Sequence, residues 1–179
     1  MIRAFLALPL PEGICAALTV QQFLLPIPRR IAAADFHLTL VFLGEVAEPV
    51  LEAAHDSFAA LRMPAFDLRL QGLGLFGGAK PNAVWAGVAA SDPLLRLQAK
   101  AEHAARQAGC PVANRRFTPH VTLGRFSSLP GGDQPRLEQA VAESRLLTEP
   151  FAVEEAVLYR STLTKTGSVY DVLARYPLA

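Results

Sequence analysis

Two short stretches of this chain could do chemistry together: His37-Leu38-Thr39-Leu40 and His120-Val121-Thr122-Leu123. Their Leu, Val and Thr residues suit a pleated, half-buried strand. Side chains alternate along a strand, so His37 shares a face with Thr39, and His120 with Thr122. Leu38, Leu40, Val121 and Leu123 then point into a core. Each motif offers an imidazole beside a hydroxyl on an apolar backing, and two copies could supply an acid and a base. Imidazole ionises near about pH 6.5 and can act as either at neutral pH. Opening a cyclic phosphodiester needs such a set. A base activates water, an acid protonates the leaving oxygen on the opposite side, and preorganised donors hold the non-bridging oxygens. Thr39 and Thr122 could be those donors. The residues alone leave open which histidine is the acid.

A site of this kind needs elements that hold both motifs still. Apolar patterning and turn residues predict strands at 2–8, 36–43, 66–70, 83–89, 120–126, 151–160 and 168–175. Helices are expected over 11–25, 49–61, 92–108 and 137–145, with Pro11 in a first turn, Asp92 as a cap and Gly109 as a stop. Gly44 should end the first motif strand, and 72–81 should form a turn. The interval from Phe66 to Trp85 recurs from Phe151 to Tyr170, and Phe5 and Val88 stand equally far upstream of His37 and His120. These repeats predict an internal duplication within a single domain over residues 1–179. The expected fold is α+β, with two pseudo-symmetric lobes, antiparallel sheets lining a central cleft and helices outside. The motif strands would face each other across that cleft.

Longer matches surround the motifs. They are Arg3-Ala4-Phe5-Leu6-Ala7-Leu8, Phe36 to Val46, Leu73-Gly74-Leu75-Phe76, Val84-Trp85-Ala86-Gly87-Val88, Arg116 to Arg125 and Leu158-Tyr159-Arg160-Ser161. On these the chain resembles the two-histidine phosphoesterases, in particular the RNA 2',3'-cyclic phosphodiesterase family once named 2'-5' RNA ligases. The likeness runs over nearly the whole length. It implies a bilobal fold and hydrolysis of terminal 2',3'-cyclic phosphates to 2'-phosphates, with no metal and no cofactor. By the same resemblance His37 is the proton donor to the leaving 3' oxygen and His120 the proton acceptor. Phe42 and Arg125, five positions after each histidine, resemble a base-stacking aromatic and a phosphate-binding arginine. Phe5 is a further stacking candidate, weighed against core packing. Strict alternation would turn Phe42 and Arg125 away from the histidine face, so a bulge or strand end must re-aim them. The implied partners are RNA ends or short oligonucleotides carrying a 2',3'-cyclic phosphate, with no obligate protein partner.

Composition narrows the alternatives. With 17 Lys+Arg against 16 Asp+Glu, no global field draws long nucleic acid to the surface. Charged residues at 18% and hydrophobic ones at 51% indicate a folded chain. Cys15 and Cys110 have no metal-ligand spacing, and Pro9, Pro11 and Glu12 interrupt the first apolar run, so a cytoplasmic protein away from membranes is expected. Gly72-Leu73-Gly74-Leu75-Phe76-Gly77 matches a dinucleotide fingerprint in letters, but it does not open a helix. His55 and His103 read as helix residues, Trp85 as core, and Arg29, Arg30, Arg115 and Arg116 as solvated loop charges or, where the cleft binds RNA, as contacts to phosphates beyond the scissile one. Rival readings are 2'-5' ligation, a small cyclic nucleotide as substrate, and a non-catalytic module binding RNA ends. A metallohydrolase would need a third ligand beyond the histidines, and Asp35 is the nearest candidate.

Overall fold

Nine strands and four helices follow one another as β1 (Ile2–Pro9), α1 (Glu12–Phe23), β2 (His37–Val46), α2 (Glu48–Ala59), β3 (Phe66–Leu68), β4 (Leu70–Phe76), β5 (Ala83–Val88), α3 (Asp92–Gln107), β6 (His120–Arg125), α4 (Asp133–Ala142), β7 (Phe151–Val153), β8 (Glu155–Thr164) and β9 (Gly167–Pro177). A 3-10 turn at Ala33–Asp35 leads into β2. The computed structural model describes residues 1–179.

Seven strands form one antiparallel sheet in the order β4-β5-β6-β2-β1-β8-β9, and β3 pairs with β7 in a separate two-stranded sheet. The large sheet has two halves, β4-β5-β6 and β2-β1-β8-β9, which meet at a single registered pair, Leu38 with Val121. The fold is α+β as the sequence suggests. The motif strands, however, stand side by side instead of facing each other across a cleft. Pairing them satisfies backbone groups that two separate sheet edges would leave open.

Several boundaries differ from the sequence reading for local reasons. Residues 66–70 are not one strand: Leu68 ends β3, and Leu70 begins β4 by donating its N–H to Thr148 Oγ1 at 3.0 Å. The stretch from Gly72 to Phe76 is strand, and the turn is confined to 77–82, closed by Asn82 N–H to the Phe76 carbonyl at 2.9 Å. The glycine pattern therefore lies in β4 and the first residue of the turn, and opens no helix. Residues 151–160 divide into β7 and β8 around Glu154. Ser91, not Asp92, caps α3, its Oγ accepting from Leu94 N–H at 3.3 Å. Gly44 does not stop β2; it sits inside the strand with φ of 78°, a conformation other residues adopt at a cost of about 1–2 kcal/mol.

The core lies between the sheet and its helices. Leu38, Leu43, Val121 and Leu123 are fully buried there with Leu18 of α1 and Ala101 of α3. The helices cross the joint: α3 packs on β2, and α1 packs on β6. Gln22 of α1 reinforces it, its Nε2 donating to the carbonyls of Leu123 and Ile31 at 2.6 and 2.8 Å. No helix is long and apolar enough to cross a membrane. The opposite face of the sheet is left to the motif side chains.

Candidate active site

Each histidine is held the same way. His37 Nδ1 lies 2.7 Å from the carbonyl of Asp35, and His120 Nδ1 lies 2.6 Å from the carbonyl of Thr118. A carbonyl oxygen only accepts, so each Nδ1 must carry the proton, and Nε2 is left as the titrating atom. The antiparallel register at Leu38 and Val121 then sets His37 towards Thr122 and Thr39 towards His120.

Matching bulges follow both motifs. In the β1–β2 ladder Leu6 pairs with Val41 but Ala7 with Thr39, so Leu40 is an extra residue. In the β5–β6 ladder Val84 pairs with Gly124 but Trp85 with Thr122, so Leu123 is extra. Two successive buried residues result in each strand, Leu40-Val41 and Leu123-Gly124, and the alternation changes phase. Phe42 and Arg125 thereby return to the histidine face.

A cavity of about 410 Å³ lies over this face. His37, His120, Thr39, Thr122, Arg125, Phe42 and Phe5 all line it, together with Asp35, Arg115, Arg3, Ser161, Ser168 and Tyr170. All seven residues singled out from the sequence meet in one place. They differ in exposure. Phe42 is 40% exposed and has a free face, whereas Phe5 is 2% exposed and enclosed by the rings of His37, Phe42, Tyr159 and Tyr170.

Aromatic rings support both imidazoles. The Tyr170 ring meets His37 edge-on at 5.3 Å between centroids, and Phe76 meets His120 edge-on at 4.9 Å. Trp85, which the sequence suggested as core, is half-buried and lies 5.8 Å from the His120 ring; its Nε1 is buried without a partner. Sequence reasoning did not connect Phe76, Tyr159 or Tyr170 to the site. One signal was present: the interval repeated from Phe66 to Trp85 and from Phe151 to Tyr170 ends, in each copy, on a ring touching a motif histidine. Arg3, Ser161 and Ser168 had no such signal. His55 is a satisfied helix residue, its Nδ1 2.9 Å from Tyr176 Oη, and His103 is exposed.

The charges around the two imidazoles differ. Burial lowers the pKa of both below the ordinary value, and the carbonyl hydrogen bonds partly oppose this. The Asp35 carboxylate favours protonated His37, while Arg125 and His120 disfavour it. His120 faces the guanidiniums of Arg125 and Arg115, both of which disfavour its protonation. The four ion pairs of the chain are Arg106–Glu102, Arg136–Asp133, Arg160–Asp171 and Arg175–Glu155, so Arg115 and Arg125 are unpaired cations at the cavity. No three His, Cys, Asp or Glu side chains are grouped so as to hold a metal ion, and Asp35 has no third companion to complete a site with His37. The arrangement offers an acid, a base, two hydroxyls and a guanidinium around a space able to hold a phosphate and a nucleoside.

Known proteins share both sequence and shape. A sequence model of the 2'-5' RNA ligase superfamily matches residues 10–164. The RNA 2',3'-cyclic phosphodiesterase of Geobacillus stearothermophilus is 32% identical over 157 residues, covering 86% of this chain and 49% of that protein. The chain thus spans about half the length of that relative. A protein of the same name from Escherichia coli K12 is 30% identical over 180 residues, covering 98% of this chain and 96% of that one. The crystal structure of E. coli LigT in apo form matches with a TM-score of 0.80 at 28% identity, over 99% of this chain and 98% of that chain.

Proposed function

The chain belongs to the 2'-5' RNA ligase superfamily, and from that premise we propose that it hydrolyses terminal 2',3'-cyclic phosphates on RNA or short oligonucleotides. The observation that carries this reading is the pair of Nδ1-anchored imidazoles in one cavity with both motif threonines and Arg125. The names borne by the relatives support the same activity.

Water enters on the His120 side. His120 Nε2 takes a proton from it as its oxygen forms the new bond to phosphorus. The bond from phosphorus to the 3' oxygen breaks in line, and His37 Nε2 donates the proton that this oxygen needs. The phosphate stays on the 2' oxygen. Thr39, Thr122 and Arg125 hold the non-bridging oxygens, whose charge must be met by preorganised donors. Phe42 offers its exposed face to the terminal base. Phe5 backs His37 and Phe42 and has no free face for a base. The assignment of acid and base has a physical support of its own: pairs of titrating groups divide their roles where their surroundings separate them. Here the Asp35 carboxylate bears on His37 and the Arg115 guanidinium on His120, while Arg125 disfavours the protonated form of both.

The test is product analysis on an oligonucleotide ending in a 2',3'-cyclic phosphate, with the enzyme in excess chelator. Complete turnover to a 2'-phosphate end is expected. A 3'-phosphate product would reverse the roles of the histidines, and loss of turnover in chelator would overturn the metal-free reading.

A further inference from the structure

A second cavity of about 390 Å³ adjoins the first, and the reaction does not use it. The two share Thr39, Phe42, Arg115, His120 and Arg125 as a common wall. Beyond that wall the second cavity is bounded by the segment joining α3 to β6, by α3 itself and by Phe76 of β4. Its lining mixes apolar surface with polar and charged groups, seven of its fifteen residues being hydrophobic. The half-buried rings and side chains of Phe117, Phe76 and Val112 give it apolar surface. Arg115 and Arg116 stand exposed on it and unpaired.

The polar groups on α3 are fixed in one sense. Gln98 is 9% exposed and donates through Nε2 to Glu102 Oε2 at 2.7 Å. Arg106 donates to Glu102 Oε1 from Nε and Nη2 at 3.1 and 2.8 Å. These donors hold the Glu102 carboxyl below the usual carboxylate range. A carboxylate only accepts, and the amide of Gln98 is oriented by donating to it, so Gln98 Oε1 remains as another acceptor. This wall therefore presents acceptors to whatever occupies the cavity.

We propose that the second cavity binds the nucleotide immediately upstream of the cyclic phosphate, and that it prefers a base with an exocyclic amino group to uracil. The inference rests on the proposed cyclic phosphodiesterase activity. Phe117 supplies a ring for the upstream base, and Arg115, at the wall common to both cavities, meets the phosphate joining the two nucleosides. Adenine, cytosine and guanine can donate an amino N–H to Gln98 Oε1, since both Glu102 oxygens already accept from Gln98 and Arg106. Uracil flanks its one N–H with two carbonyls, which would face these acceptors unpaired.

The experiment compares kcat/KM for cytidine 2',3'-cyclic phosphate, ApC 2',3'-cyclic phosphate and UpC 2',3'-cyclic phosphate. ApC should exceed the mononucleotide by roughly tenfold, the scale of one base stacked on an aromatic ring, with UpC several-fold below ApC. Adenine also stacks better than uracil, so the Gln98→Leu variant separates the two effects. It removes the acceptor at nearly constant volume, and the ApC-to-UpC ratio should fall by at least half. Phe117→Ala should bring both dinucleotides down towards the mononucleotide. Equal kcat/KM for all three substrates would overturn the subsite while leaving the hydrolytic reading intact. No turnover of any would instead overturn the function on which it rests. An ApC-to-UpC ratio unchanged by Gln98→Leu would overturn the amino preference.

Discussion

At the scale of single residues, the proposed chemistry depends on two imidazoles whose pKa values burial has pushed down. The free enzyme reports these groups in kcat/KM, which should follow a bell with one histidine neutral and the other protonated. Both limbs belong to the pair and not to either histidine alone. Because both shifts are downward, the optimum should lie below about pH 6.5, the unperturbed value. Activity falls on the alkaline side as the acid loses its proton, and on the acid side as the base gains one. An optimum above pH 7.5 would contradict the lowered values. His37→Ala and His120→Ala should each lower the rate by roughly 10²–10⁴-fold, the usual worth of a positioned proton transfer. These residues were legible in the sequence because their types repeat at equivalent positions, and so were Phe42 and Arg125. Phe76 and Tyr159 were not, because they reach the histidines through sheet neighbours. Phe76 pairs with Ala83 and Tyr159 with Phe5, a register that no local pattern announces.

At the scale of elements, the decisive features are the matched bulges in β2 and β6. The sequence showed that some irregularity was needed to re-aim Phe42 and Arg125, but not which residue would be extra. Its position depends on partner strands, with β1 opposing β2 and β5 opposing β6. The same dependence hid the extent of β4, where Gly74, a residue that suits a turn, is paired with Trp85 of β5 instead. The bulge in β6 is locked from outside. A Cβ at Gly124 would come 2.8 Å from Ile27 Cδ1 and 2.9 Å from the Arg29 carbonyl. The first contact can yield, since it is the end of a flexible side chain; the second is backbone, in a loop bridged from Arg30 to Gly124. Gly124→Ala should therefore cost about 1–3 kcal/mol by overpacking, read as a lower denaturant midpoint. It should also reduce kcat/KM, because the adjacent Arg125 must move with the strand. A variant with unchanged midpoint and activity would show that the bulge does not depend on this close approach.

At the scale of the whole molecule, a site built across the single-pair joint of two half-sheets ties catalysis to folding. The duplicated intervals suggested two halves, and the order outward from the joint, β6-β5-β4 on one side and β2-β1-β8 on the other, matches strand for strand, with β9 added at one edge. That the halves would share a sheet was not legible, since one registered pair leaves no signature in composition or spacing. Burying both histidines at the joint makes the folded state a poorer proton binder than the unfolded chain. Stability rises with pH wherever the unfolded state binds more protons. The contribution of His37 and His120 is therefore fully present above about pH 6.5, where the unfolded histidines are neutral. It is lost as pH falls from there towards their lowered folded values. Glu102 adds acid sensitivity of its own, but only below its ordinary value of 4.5, so the two windows separate. Denaturant midpoints measured between about pH 5 and 7 should fall on acidification. The His37→Gln, His120→Gln double variant should flatten that slope. Inorganic phosphate bound between the imidazoles would favour their protonated forms and should flatten the wild-type slope as well. If the double variant kept the full wild-type slope, the acid sensitivity would have to reside outside the site.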